Sequence, residues 1–143
     1  CSAQQPNMNL DLIRSTAETV RFWAEGRAVG TEGEEDLSGW CAIASAELWR
    51  QLSRLGFAVE IHAWICPQDK ESAHVFLVVD DHVVDITATQ FSKMRAPIVY
   101  VAHVKEAERW NWYHSQEVFR TPKELIHWQK KSGWSAEQVA WSK

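Results

Sequence analysis

The chain has 143 residues, 45% of them apolar and 24% charged, and a formal net charge of −4. This length predicts a single domain with one core, and the near-average composition argues against disordered and fibrous classes. The acidic balance, without any basic cluster, predicts that nucleic acid is not a partner. The longest apolar stretches fall far below the roughly 20 residues that cross a bilayer, so no membrane-spanning segment is predicted.

The cysteines bear on the cellular compartment. Three cysteines at wide spacing make an odd number, which argues against a disulfide framework and predicts a reducing, cytoplasmic setting with free thiols. Cys1 leaves two interpretations open. It is an ordinary terminal residue or a cloning remnant, or else it is the lipid-bearing first residue of a mature bacterial lipoprotein, and the protein is then lipid-anchored or secreted.

The first third of the chain predicts two helices. Residues 1–9 are polar and predict a loose N-terminus, and apolar residues at helical spacing follow from Leu10. The acidic stretch 31–38 predicts a solvated loop, and its acidic run is a candidate lid over a site. This loop leads into a second helix over about 38–55.

The middle of the chain predicts a sheet. Alternating or continuously apolar runs predict strands over 59–65, 74–79, 82–87 and 98–103. Only Asp80 and Asp81 separate the second of these runs from the third, which favours a hairpin.

Helices are expected again in the C-terminal third. Thr121 and Glu124 form a capping box around Pro122, and Ser135 with Gln138 predicts a short last helix. Helices, then antiparallel strands, then helices predict an α+β fold for the whole chain. The second helix is expected to pack on an antiparallel sheet of about four strands, with helices flanking it on both sides in the sequence.

Cys41 is the candidate nucleophile. A thiol attacks carbonyl carbon as the thiolate, and the unpaired N–H groups in the first turn of a helix favour that form. Cys41 has this position, Ser38 supplies a plausible N-cap, and the N–H of Cys41 is a candidate oxyanion donor. A buried, inert cysteine on a core helix is the alternative interpretation of this residue taken alone.

His74 and Asp85 are the candidate base and the carboxylate that orients it. If Asp80 and Asp81 form a two-residue turn, His74 and Asp85 are diagonal neighbours on one face, with Cβ atoms under about 8 Å apart. A three-residue turn would place them on opposite faces. Asp85 stands in an otherwise apolar strand, where an unpaired carboxylate is costly to bury. An imidazole held by a carboxylate beside a thiol sustains a thiolate–imidazolium pair.

The order of these residues resembles the transglutaminase-like branch of the papain-like cysteine enzymes. The resemblance covers about residues 38–91 and is carried by Gly-Trp-Cys-Ala at 39–42, Leu-Gly-Phe-Ala-Val-Glu-Ile at 55–61, Ala-His-Val-Phe at 73–76 and Val-Asp-Ile-Thr at 84–87. The run 85–91 also looks like small bacterial and phage members of this superfamily. The resemblance implies a papain-like core and a catalytic triad of Cys41, His74 and Asp85, with no cofactor.

These residues predict a cysteine-dependent amide hydrolase or acyl transferase that acts through a thioester on Cys41. It would be an amidase, peptidase, glutamine deamidase or transglutaminase, with a protein or peptide substrate. Trp40 and Gln90 are candidates for the substrate groove or the oxyanion donor, and Gln51 is a further donor candidate. The alternative is a non-catalytic protein-binding or inhibitor module that uses the Trp-rich surface.

Two other features receive structural interpretations. His62 is assigned to the solvent side of its strand. A metal site built from His62, Cys66, Cys41 and His74 is not predicted, because no paired ligand spacing supports it.

The aromatic residues of the C-terminal third are expected mainly in the core, and a substrate or partner groove is the alternative for some of them. They are Trp110, Trp112, Tyr113, Trp128, Trp134 and Trp141.

Overall fold

The structure is a computed structural model that describes residues 5–35, 37, 39–68, 73–134 and 139. This part of the chain contains four α-helices and five strands. In chain order they are α1 (Gln5–Ala28), α2 (Cys41–Arg54), β1 (Val59–Ile65), β2 (Ala73–Val79), β3 (His82–Asp85), β4 (Tyr100–His103), α3 (Val104–Ala107), β5 (Glu117–Phe119) and α4 (Pro122–Lys131). Short 3-10 turns lie at Ala88–Gln90, Ser92–Met94 and Asn111–Tyr113.

The five strands form one antiparallel sheet in the order β4-β3-β2-β1-β5. The predicted α+β class is confirmed, and the four predicted strands are present. The fifth strand, β5, was not predicted. It pairs with the outer edge of β1 through three residues only, and in this register Ile61 lies opposite Phe119.

The hairpin between β2 and β3 has the predicted register. Val79 pairs with His82, so Asp80 and Asp81 are the two turn residues. Their φ angles of 49° and 63° are both in the left-handed region, as a type I′ turn requires. Such a turn twists the chain in the same sense as the strands that it joins, which fixes the pairing of the residues on either side.

The two faces of the sheet are covered differently. Helices α1 and α2 cover one face, where apolar residues of both helices meet alternate residues of β1, β2 and β3 in the main core. Two hydrogen bonds attach α2 to this sheet: Ser45 Oγ donates to the Val75 carbonyl (3.2 Å), and Trp49 Nε1 donates to the Val59 carbonyl (3.1 Å). These bonds fix where the first turn of α2 lies relative to the start of β2.

An aromatic layer from the later part of the chain covers the opposite face. Ala107 and Tyr113 of this layer are buried against Phe76 and Val83 of the sheet, and partly buried aromatic residues pack around them: Tyr100, Trp110 and Trp112. The expectation that these aromatic residues serve packing is confirmed. Trp141 lies outside the described residues.

The predicted N-terminal boundaries differ from those observed. Helix α1 already begins at Gln5, so residues 5–9 are helical rather than loose. Helix α2 begins at Cys41 itself. Its N-cap is Trp40, without a side-chain capping bond, so the prediction of Ser38 as the N-cap is wrong. Ser38 and Cys1 both lie outside the described residues.

At the other end of the chain, the capping box of α4 is confirmed. Thr121 is the N-cap, and its Oγ1 accepts a hydrogen bond from the N–H of Glu124 (3.3 Å). The last helix predicted from Ser135 and Gln138 falls outside the described residues. Among the helices that the structure does describe, none combines the length and the apolar character needed to cross a membrane.

Candidate active site

His74 and Asp85 form a buried pair on the aromatic side of the sheet. The side chain of each is only 1% exposed, and His74 Nε2 lies 2.6 Å from Asp85 Oδ2. A carboxylate can only accept, so Nε2–H is the donor. This bond leaves the other ring nitrogen, Nδ1, on the opposite side of the imidazole.

The Asp85 carboxylate accepts four hydrogen bonds. On Oδ2 it accepts from His74 and from the hydroxyl of Tyr113 (2.7 Å). On Oδ1 it accepts from the backbone N–H of Thr87 (2.9 Å) and from Thr87 Oγ1 (3.2 Å). Only the ionised carboxylate offers an acceptor to every one of these donors, so the surroundings of Asp85 favour its charged form.

The two groups shift each other's protonation. Burial by itself would raise the pKa of Asp85, but the His74 charge and the hydrogen bonds from His74, Tyr113 and Thr87 outweigh it, so the pKa is lowered. Burial by itself would lower the pKa of His74. The charge and the hydrogen bond of Asp85, joined by Cys41, outweigh burial and raise this pKa from 6.5 to about 9. The pair is therefore an imidazolium–carboxylate ion pair at neutral pH.

Cys41 adjoins the imidazole. It is the first residue of α2 and is 4% exposed. Its thiol acts on His74 as a hydrogen-bond partner and as a charge, and both effects raise the pKa of His74. Of the three residues predicted from the sequence, Asp85 thus bonds to His74, and Cys41 acts on its pKa. The thiol of Cys41 is a free thiol.

The side-chain amides suggested as oxyanion donors have different positions. Gln90 lies in the site, because its Nε2 is 3.4 Å from His74 Nδ1 and donates to the Thr87 carbonyl (3.0 Å). Gln51 donates to Glu47 on α2 (3.1 Å). It lies ten residues after Cys41, which is roughly 15 Å along the helix, so its prediction as a donor is wrong. Trp40 is half-buried against the main core.

A buried arginine holds the segment that follows β3. Arg21 on α1 donates from Nη1 to the Ile86 carbonyl and to Thr89 Oγ1, each at 2.9 Å. Its Nε pairs with Glu25 one turn later on α1 (2.8 Å). Arg21 therefore fixes the backbone between Asp85 and Gln90, and sequence reasoning gave it no role.

Aromatic rings enclose the imidazole. Phe91 meets His74 edge-on, with ring centroids 4.7 Å apart, and Phe76 stacks at 5.8 Å. Phe91 in turn stacks on Trp112 at 4.2 Å, and Trp110 covers Trp112 on another side at 5.3 Å. These rings restrict the access of water to His74 and keep its ring in one orientation.

His62 departs from its predicted position. It lies on the same face as Phe76, with ring centroids 5.6 Å apart, and is half-buried, so the solvent-side assignment is wrong. Its Nδ1 is 2.8 Å from Ser115 Oγ, and its Nε2 is 3.1 Å from Glu60. Among the residues that the structure describes, no three His, Cys, Asp or Glu side chains lie close enough together to hold a metal ion.

Two clefts differ in their relation to His74. A cleft of about 520 Å³ lies between the C-terminal half of α2 and the start of α4, with Arg50, Arg54 and Lys123 in its lining, and is remote from Cys41. In a second cleft, of about 490 Å³, the lining residue Trp64 pairs with His74 across the β1–β2 ladder. It is lined by Trp64, Pro67, Gln68, Asn111, Trp112 and His114.

Comparison with known proteins gives no relative. The chain matches no protein-family model, and neither the curated proteins nor the solved structures provide a match. The interpretation of the site therefore depends on its geometry and chemistry.

The ion pair predicts how stability depends on pH. The pKa of His74 is raised, so its stabilising contribution is complete below pH 6.5 and is lost as the pH rises through about 9. The pKa of Asp85 is lowered, so its contribution is present above 3.8 and is lost as the pH falls through the lowered value. We expect the free energy of unfolding, measured with urea, to decline above pH 6.5. A His74→Gln variant with the same alkaline decline would contradict this.

Proposed function

We propose that the protein is a cysteine-dependent amide hydrolase or acyl transferase, with Cys41 as nucleophile, His74 as general base and acid, and Asp85 as the residue that orients His74. The observation that carries this proposal is a buried imidazole that a carboxylate holds at 2.6 Å and whose pKa is also raised by the free thiol of Cys41. This arrangement activates a nucleophile, because the imidazolium stabilises the thiolate. A papain-like core of the transglutaminase-like branch is part of the same proposal.

The reaction uses each residue in turn. The thiolate of Cys41 bonds to the carbonyl carbon, and the π electrons move to the oxygen, which the N–H groups of the first turn of α2 stabilise. The C–N bond then breaks as the His74 imidazolium gives its proton to the leaving nitrogen, which leaves a thioester. Water or an amine attacks the thioester and passes a proton to His74, and the thiolate is released. Asp85 keeps the imidazole in the required tautomer throughout.

Gln90 is the side chain that we place second at the oxyanion. Its amide is anchored by Thr87 beside the imidazole, so it has a fixed position 3.4 Å from His74 Nδ1. Its two N–H groups have the Thr87 carbonyl (3.0 Å) and hydroxyl (3.2 Å) as acceptors, so it would donate to the oxyanion in exchange for the longer of these bonds.

A non-catalytic binding module is the second candidate function, and the burial of Cys41 is the observation that favours it. With 4% of its surface exposed, the thiol has little contact with solvent, as in an inert core cysteine. The enzyme and the binding module differ in one measurable property: whether Cys41 reacts as a thiolate at acidic pH.

The test is the pH dependence of alkylation at Cys41. In a variant with Cys1 and Cys66 replaced by serine, we expect iodoacetamide to react with Cys41 down to about pH 6. A free thiol such as N-acetylcysteine loses roughly tenfold in rate for each unit below about 8.5. We expect Cys41 to keep reacting at acidic pH because the imidazolium of His74 stabilises its thiolate. His74→Gln in the same background should therefore abolish the reaction at acidic pH. Alkylation of Cys41 that follows N-acetylcysteine, with or without His74, would favour the binding module.

A further inference from the structure

A cleft of about 520 Å³ separates the C-terminal half of α2 from the start of α4. Residues within 49–54 line it on the α2 side, and residues within 121–126 line it on the α4 side. Arg50 lies nine residues after Cys41, which is roughly 14 Å along the helix, and Arg54 is a further turn away. The cleft is therefore a separate place on the molecule from the candidate active site.

Three cationic side chains line this cleft from both helices. Arg50 and Arg54 are four residues apart, so they are neighbours on one face of α2, and Lys123 stands in the first turn of α4. Among the described lining residues there is no aspartate or glutamate. Arg50 contacts Glu47 along its own helix at 3.5 Å, and a pair of this kind offsets only part of its charge. The cleft is therefore a positive region in a chain whose formal net charge is −4.

The same cleft also has an apolar part. Trp49, Pro122 and Ile126 line it with two ring systems and an aliphatic side chain. Trp49 is held in place because its Nε1–H donates to the Val59 carbonyl (3.1 Å), so this part of the wall is preformed. Ser53 adds a hydroxyl that can donate to a peptide carbonyl. A small inorganic anion would leave the apolar surface unused.

We propose that this cleft binds a short acidic segment of a partner protein, in which carboxylates flank an apolar side chain. The carboxylates pair with Arg50, Arg54 and Lys123, and the guanidinium groups can do so through two parallel hydrogen bonds. The apolar side chain leaves water against Trp49 and Ile126. A volume of about 520 Å³ lies within the range of about 300–1,000 Å³ that is usual for ligand sites.

A short segment fits these charges better than a long polyanion does. The positive region is confined to one cleft, while the chain as a whole is acidic, so an extended polyanion would be repelled beyond the cleft. The inference goes beyond the proposed function and does not depend on it, because no residue of the cleft takes part in the proposed reaction.

The experiment measures peptide binding to the full chain by fluorescence anisotropy. The probe is Glu-Glu-Leu-Asp-Glu with a tetramethylrhodamine label. We expect Gln-Gln-Leu-Asn-Gln to bind about tenfold more weakly, because it keeps the shape of the probe and loses its charges. Glu-Glu-Ser-Asp-Glu should bind about threefold to tenfold more weakly, because it lacks the apolar side chain. An increase in NaCl from about 50 to about 300 mM should weaken binding of the acidic probe, since salt screens exposed charges.

Two double variants locate the binding in the cleft. Arg54→Gln combined with Lys123→Gln changes two exposed residues, so the fold should be retained. Loss of two ion pairs should weaken binding of the acidic probe about fivefold to twentyfold. Lys93→Gln combined with Lys105→Gln is the matched control, because it removes the same charge from two exposed lysines outside the lining of the cleft. The control should bind the probe as the parent protein does.

Several results would overturn the inference. They are equal binding of the acidic and the amide peptides, equal loss of binding in the two double variants, and no binding of the probe at about 1 mM. Inorganic phosphate that displaces the probe at an equal concentration would overturn it in favour of a site for small anions. Self-association in sedimentation velocity that disappears in Arg54→Gln with Lys123→Gln would overturn it in favour of a second copy of the chain. Alkylation of Cys41 has no bearing on any of these outcomes.

Discussion

Replacement of Cys41 by alanine should abolish both alkylation at this position and all acyl transfer, while the fold is retained. The reaction requires a thiolate beside the imidazolium of His74, and alanine supplies no nucleophile. Loss of one buried sulfur atom should reduce the free energy of unfolding by only about 1 kcal/mol. The measurements are peptide mass spectrometry after iodoacetamide treatment, and thermal unfolding of the variant beside the parent protein.

Cys66→Ala provides the matched control for this substitution. Cys66 lies just after β1 and is half-exposed, with its thiol 3.4 Å from Gln68 Oε1. It takes part in no step of the proposed reaction. Its loss should leave acyl transfer unchanged. Acyl transfer that persists in Cys41→Ala and disappears in Cys66→Ala would show that Cys66, and not Cys41, is the nucleophile.

The hairpin could be predicted from the sequence because its register depends on local chemistry. Two aspartates between apolar runs tolerate the left-handed conformation of a type I′ turn, and the turn then determines which residues pair. With Val79 opposite His82, the period of two places His74 and Asp85 on one face. Everything needed for this prediction lies within twelve consecutive residues.

The remaining partners of Asp85 divide by their distance in the sequence. Thr87 is two residues away, and a bond from an aspartate to the N–H two residues later is a common local motif, so Val-Asp-Ile-Thr carried a usable signal. Tyr113 is 28 residues away. Its contact depends on how the aromatic layer crosses the sheet, and no local pattern specifies that. It was therefore predicted only as a packing residue.

Weak local signals also explain the other differences. Strand β5 has three residues and is held by its pairing with β1, so it lacks the length at which alternation becomes visible. Gln51 and Gln90 are equivalent as sequence candidates, and only the fold separates them. The burial of Arg21 depends on the carbonyl of Ile86 and the hydroxyl of Thr89, which accept hydrogen bonds from it. Both acceptors lie more than 60 residues away in the sequence, so no local pattern predicts this burial.

These contacts give the site a physical logic. Asp85 receives donors from β2, from its own following turn and from the aromatic layer, while Arg21 fixes the same turn from α1. Removing a charged group from water is costly, and each of these bonds repays part of that cost. The result is a carboxylate that cannot reorient, and therefore an imidazole whose Nε2 is held in one direction.

Asp85→Asn should reduce acyl transfer about 10⁴-fold, the size of the effect of this substitution in serine-protease triads. An asparagine has nearly the same shape, but its Nδ2 donates. Where it replaces Oδ2 it faces two donors, His74 Nε2 and the Tyr113 hydroxyl. The imidazole is then forced to carry its proton on Nδ1, so in the proposed reaction Nδ1 can no longer accept the proton of the thiol. The unmatched donor should lower the free energy of unfolding by roughly 1–3 kcal/mol.

The same substitution at Asp81 is the control, because Asp81 is exposed in the hairpin turn with φ of 63°, a conformation that asparagine tolerates. Asp81→Asn should change neither the rate of acyl transfer nor the stability.

In Asp85→Asn, burial acts on His74 without the opposing carboxylate charge, so the pKa of His74 should fall below about 9. Alkylation of Cys41 at acidic pH should fall with it, and the alkaline decline of stability should disappear. A variant that keeps acid-range alkylation would show that Asp85 does not control the imidazole, and the assignment of its role would be wrong.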